Sequence, residues 1–142
     1  MHLFLYVSRS LVILWALSAT SLPGCARRAY QVESVGEASA KGDVELHDWE
    51  GGNRLVVVTF DELPPPEAHG AQYRHYVVWL RPMGRGVLNA GRLAYDETIG
   101  VGAMRLVTPH ESFELVVTVE PDAGVSAPGP RVVARRIVQR AR

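Results

Sequence analysis

The sequence predicts an all-β chain: an Ig-like or fibronectin-like antiparallel β-sandwich of about seven strands. Three observations carry that expectation. Short runs rich in Val, Tyr, Trp, Phe and Leu recur at roughly the eight-to-twelve-residue spacing of such folds, with Gly/Pro turns between them. Residues 112–120 alternate Phe113, Leu115, Val117 and Val119 with Glu114, Val116, Thr118 and Glu120, the period of two of a half-buried strand. No window keeps the 3.6-residue period of a surface helix.

The elements follow in chain order. Residues 1–24 read as an export signal. Arg9 precedes the apolar run 11–17, and small residues lead to Leu22-Pro23-Gly24-Cys25. The run is shorter than the about 20 apolar residues of a membrane-spanning helix. Leu22-Pro23-Gly24-Cys25 resembles a bacterial lipobox. That resemblance implies cleavage between Gly24 and Cys25 and a diacylglycerol on the Cys25 thiol, and Ala26 after the cysteine implies the outer membrane. The expected organisation is a lipoprotein signal peptide over 1–24, a lipidated cysteine and tether over 25–42, and the sandwich with a basic end over 43–142.

Within the mature part, 26–42 is small and polar, grading into a strand near 30–35. Residues 43–47 place Val44 and Leu46 on one face, and 50–53 (Glu-Gly-Gly-Asn) form a turn. Leu55-Val56-Val57-Val58 marks a buried strand over 54–60. Leu63-Pro64-Pro65-Pro66 ends it, because three prolines supply no backbone donor. The strand over 73–81 is apolar on both faces, so one face needs a cover, and Trp79 is its natural anchor. Pro82-Met83-Gly84-Arg85-Gly86 turns into a weaker strand over 87–95, where Gly91 suggests a bulge. Strands over 102–107, 112–120 and 131–138 complete the domain, with a Pro/Gly loop over 121–130.

A second resemblance rests on Tyr76-Val77-Val78-Trp79, on Gly86, Asn89, Gly91 and Leu93, and on Thr108-Pro109, Phe113, Leu115, Val117-Thr118, Glu120-Pro121, Pro128 and Val132-Val133. Together these look like an uncharacterised bacterial envelope lipoprotein domain, similar to the extracytoplasmic C-terminal domain of anti-sigma-K-type factors. The resemblance spans 73–133 and implies a β-sandwich outside the cytoplasm. The sequence has no sigma-binding domain or zinc-binding His/Cys set ahead of a membrane helix, so sigma-factor regulation is not carried over.

Composition narrows the function classes. Lys+Arg and Asp+Glu number 15 each, a net charge of zero, which argues against a globally basic nucleic-acid binder. The single Cys excludes a disulfide framework. No Ser lies in a Gly-x-Ser-x-Gly elbow. Ser34, Ser39, Ser112 and Ser126 read as turn or strand-end residues. His47, His69, His75 and His110 are not spaced for a shared metal on one strand face. Asp61-Glu62 and Asp96-Glu97 are sequence neighbours whose side chains diverge, which argues against general acid–base pairing. Gly84-Arg85-Gly86 lacks the helix and Lys-Ser/Thr of a phosphate loop.

The expectation is therefore a non-enzymatic chain with no catalytic residue, no metal and no cofactor. Its partners are the membrane, through lipid on Cys25, and an envelope protein. The alternatives are an extracytoplasmic sensory module like an anti-sigma ectodomain, and a small metal- or ligand-binding protein. Arg131, Arg135, Arg136 and Arg140 form a basic end, read either as a guard on an edge strand or as a contact with an anionic surface. Cys25→Ala is expected to abolish metabolic labelling with a radiolabelled fatty acid and to release the protein from membranes. Unchanged labelling refutes the lipobox reading.

Overall fold

The structure, a computed structural model, describes residues 28–34 and 41–139. Among these the chain forms nine strands: β1 (Arg28–Ser34), β2 (Lys41–Asp48), β3 (Arg54–Asp61), β4 (His75–Pro82), β5 (Leu88–Arg92), β6 (Ala94–Asp96), β7 (Val101–Thr108), β8 (Phe113–Glu120) and β9 (Val132–Val138). Every pairing is antiparallel. One sheet has the order β1-β2-β3-β7-β6, the other β5-β4-β8-β9. The chain is an all-β sandwich, as its alternation predicts.

Two features close the sandwich at its sides. On one side β1 belongs to both sheets: 28–32 pair with 42–46 of β2, while Glu33 and Ser34 pair with Arg135 and Ala134 of β9. Strand pairing thus starts at Arg28, within the stretch 25–42. On the other side, the strand expected over 87–95 divides into β5 and β6, which lie in different sheets. Leu93 turns the corner between them. Its side chain is buried, and its N–H donates to the Tyr76 carbonyl at 2.9 Å. Gly102 makes room for it: a Cβ there would lie inside van der Waals contact with Leu93 and 2.8 Å from Leu63 Cδ1. The predicted irregularity at Gly91 is present as a register shift between β4 and β5 opposite Val78 and Trp79. Gly91 takes a φ of 114°, where glycine has no steric cost.

The core lies between the sheets. Val44 and Leu46 of β2 and Val56, Val58 and Phe60 of β3 line the first sheet's inner face. Tyr76, Val78 and Leu80 of β4 and alternate residues of β8 from Phe113 to Val119 line the second's. The run Leu55-Val56-Val57-Val58 is buried on one face only, since Leu55 and Val57 are half-exposed on the outside.

Trp79 is fully buried, but outside this core. With Val77 and Val116 it forms a second cluster on the outer face of the second sheet, packed by Val87, Ala123, Val125 and Val132. The cover predicted for this strand is the chain's own loop, residues 121–131. Trp79 Nε1 donates to Thr118 Oγ1 at 2.8 Å, and that hydroxyl donates to Glu120 Oε1 at 2.6 Å. The Gly129 N–H donates to the same carboxylate oxygen at 2.6 Å, and Asn89 Nδ2 holds the carbonyls of Ala123 and Val125. Thr118 and Glu120, expected to face solvent, are buried for this reason.

The registers also fix which loops share an end. Where β1 starts and β9 stops lie the connections 49–53, 83–87 and 109–112; this is the near end. At the far end lie 62–74, 97–100 and 121–131. Trp79→Ala is expected to cost about 3–5 kcal/mol in urea unfolding, the range for truncating a large buried aromatic, and to leave Thr118 without its indole donor. A variant that unfolds with the wild type would show that the second cluster contributes nothing.

Candidate functional site

The far end carries a cleft of about 540 Å³ beside the β5–β6 corner, lined by Pro66, Arg74, His75, Tyr76, Arg92 and Tyr95 among others. Its construction begins with the proline run. Leu63-Pro64-Pro65-Pro66 brings carbonyl acceptors into the fold but few donors. Two phenols supply them. Tyr76 donates to the Pro64 carbonyl at 2.6 Å, and Tyr95 donates to the Leu63 carbonyl at 3.1 Å. The Leu63 N–H donates to the Gly100 carbonyl at 2.8 Å, and residues Pro66–His69 complete the segment as a 3₁₀ turn.

His69 packs edge-on to Tyr76, which packs edge-on to Tyr95, with centroid separations of 5.9 and 5.6 Å. His69 Nε2 lies 3.1 Å from the Tyr76 oxygen. Tyr76 already spends its only proton on Pro64, so the imidazole must be the donor and carries its proton on Nε2. Burial, then Tyr95 and Glu67, push the Tyr76 phenol well above the ordinary tyrosine value. Burial first, then the Arg131 guanidinium, hold His69 below the ordinary histidine value. Both groups are therefore neutral at pH 7, and the pair fastens the loop without poising a nucleophile.

The cleft's open side is cationic. Arg74 Nη1 donates to the carbonyls of Ala71 and Tyr73 and lies 3.7 Å from Glu67. Arg92 on the rim and His75 make no side-chain hydrogen bond or ion pair among the described residues. Asp96 is the acid of the lining, and its carboxylate accepts the Thr98 N–H at 2.9 Å. Two guanidinium groups, Arg74 and Arg92, next to a tyrosine wall suit a carboxylate or another anionic group.

The residues singled out in the sequence take separate places. Gly24, Cys25 and Arg140 lie outside the described residues. Arg131 is at the far end, its Nη2 donating to the His69 carbonyl at 3.5 Å. Arg135 is on the outer face, 3.9 Å from Glu114. Arg136 turns to the opposite face, with its guanidinium 5.5 Å from the Tyr30 ring centroid. Arg135 and Arg136 point to opposite faces of the strand but line one groove with Tyr30, Glu114, Ile137 and Gln139, while Arg131 lies at the other end of β9. Among the described residues, no three His, Cys, Asp or Glu side chains come together as a metal site. Glu62, of the Asp61-Glu62 pair, is bound to Lys41 at 3.0 Å. Tyr76 and Tyr95 were not singled out by sequence reasoning; the one signal for them is the proline run's need for donors.

Comparison with family models, curated proteins and solved structures finds no match to this chain.

The His69 environment sets a pH dependence. In the unfolded chain His69 titrates near its ordinary value of 6.5, and in the folded protein at a lower pH. Between those two values the unfolded state binds more protons, so stability falls as pH falls through that window. Urea midpoints measured from pH 8 to pH 4 are expected to show this decline, and the component due to His69 is expected to vanish in His69→Gln. A variant with the same pH slope as wild type assigns the decline to other groups.

Proposed function

We propose that this chain is a non-enzymatic lipoprotein of the bacterial cell envelope. Lipid on Cys25 anchors it, and the far-end cleft holds an acidic segment of an envelope protein partner. One observation carries the reading. Arg92 and His75 stand at the rim of a cleft whose walls are already fixed by Tyr76, Tyr95 and the proline run. A preformed site whose Arg92 guanidinium has no side-chain partner among the described residues binds an acidic group with little ordering cost. The position of Cys25, at the end of an export signal and three residues before β1, supports the anchor. Placement in the outer membrane follows from Ala26 by resemblance alone.

The test is site-specific photocrosslinking in living cells. A photoreactive residue at position 92 is expected to trap one dominant envelope protein, whereas one at position 105, on the outer face of the first sheet, traps none. Charge reversal with Arg74→Glu is expected to reduce the position-92 adduct at least about tenfold, the effect of losing roughly 1.4 kcal/mol. Equal adducts at the two positions would overturn the assignment of the cleft.

A further inference from the structure

The large apolar side chains that remain exposed are not scattered. Among the described residues there are six: Trp49, Met83, Leu88, Ile99, Val107 and Ile137. Five of them lie at or next to the near end, and Ile99 alone lies at the far end. Trp49 leads into the Glu50–Gly52 turn and is 48% exposed; Met83 sits on the β4–β5 turn and is 56% exposed. Leu88 opens β5, and Val107 and Ile137 are the penultimate residues of β7 and β9. Single exposed apolar residues are ordinary on a protein surface, but their concentration at one end is a pattern that marks a contact site.

The charges at this end are arranged in a matching way. Asp48 and Glu111 are both bound by Arg54, and Glu114 is bound by Arg81. These ion pairs cancel most of the acids, and Glu50 makes no ion pair among the described residues, while Arg85 is exposed on the Met83 turn and Arg28 is exposed at the start of β1. Arg136, against Tyr30, keeps a buried Nε with no hydrogen-bond partner, in a groove it shares with Arg135 and Gln139.

Position completes the argument. Cys25 is three residues before Arg28, and three residues reach at most about 11 Å. A lipid on Cys25 therefore brings the near end, and not the far end, against the bilayer. Indole and thioether side chains ringed by arginines suit the boundary between anionic head groups and acyl chains.

We propose that the near end is a membrane-contact face. The Trp49 and Met83 turns enter the interface of an anionic bilayer, and Arg28, Arg85 and Arg136 meet lipid phosphates, so that the sandwich stands upright with its cleft directed away from the membrane. This inference rests on the lipid anchor proposed above. The bilayer is the occupant favoured over a protein because a lipid on Cys25 holds this end against it, and the apolar residues come from two turns and three separate strand ends.

The experiment reads Trp49 directly. The full chain, purified from bacterial membranes, is reconstituted into phosphatidylglycerol/phosphatidylethanolamine vesicles with brominated acyl chains, which quench indoles within the bilayer. The difference between wild type and Trp49→Phe isolates the Trp49 signal from that of buried Trp79. That signal is expected to shift to the blue and to lose most of its intensity, and Arg85→Glu is expected to restore much of it. An indole placed at the far end, Ile99→Trp in the Trp49→Phe background, is expected to stay unquenched. Acylated protein with unquenched Trp49 overturns this inference and leaves the lipid anchor standing. Quenching of both indoles also overturns it, since no end would then be preferred. If mass spectrometry finds Cys25 unmodified, the anchor reading fails. The same vesicles then decide the inference, with Trp49 quenching supporting it and its absence refuting it.

Discussion

The closing of two sheets by single stretches of chain is the constraint on which the molecule depends. An open sandwich exposes edge strands whose unpaired backbone groups invite further pairing. Here β1 crosses from one sheet to the other within its own length, and Leu93 carries the chain from β5 to β6 at the opposite side. The corner requires Gly102 to lack a side chain. The cleft sits beside that corner because β5 and β6 diverge there, and the Leu93 N–H ties the divergence to β4.

A second layer of organisation is polar and runs outside the core. Trp79, Thr118, Glu120 and Gly129 form one chain of hydrogen bonds under the 121–131 loop. The carboxylate is buried, and the donors it accepts are a hydroxyl and a backbone N–H. Such a group is stable in a fold only when its hydrogen bonds are made. Gly129 admits the close approach, since a Cβ there would come within 2.7 Å of Glu120 Oε2. The loop is thereby held as a wall of the sandwich, and the outer face of the second sheet is partly closed to partners.

Much of the fold was legible because strand alternation is a local property. Phe113 to Glu120, the turns at Gly51-Gly52 and Gly84, and the covered face of β4 can all be read from neighbouring residues. The corner was not legible, since Leu93 is one apolar residue within a run that looks continuous. The identity of the cover over Trp79 was hidden too, because residues 121–131 have no period to read. The site was less accessible than the fold. Tyr76 and Tyr95 find the Pro64 and Leu63 carbonyls across distances of 12 and 32 residues in sequence. Arg135 and Arg136 point to opposite faces of β9 yet line one groove, a juxtaposition that depends on Tyr30 of β1 and has no signal in their spacing.

The way β1 is held has a mechanical consequence. Its hydrogen bonds to β2 and β9 run across the strand, as in any antiparallel pair. A force applied to the chain ahead of Arg28, directed away from the near end, acts along the strand and perpendicular to those bonds. The bonds then share the load in shear, whereas a pull from the sheet's edge would open them one after another. Because β1 is bonded into both sheets, tension at its start is divided between the two halves of the sandwich. The strand nearest the proposed anchor is thus the one built to resist being drawn out of the domain.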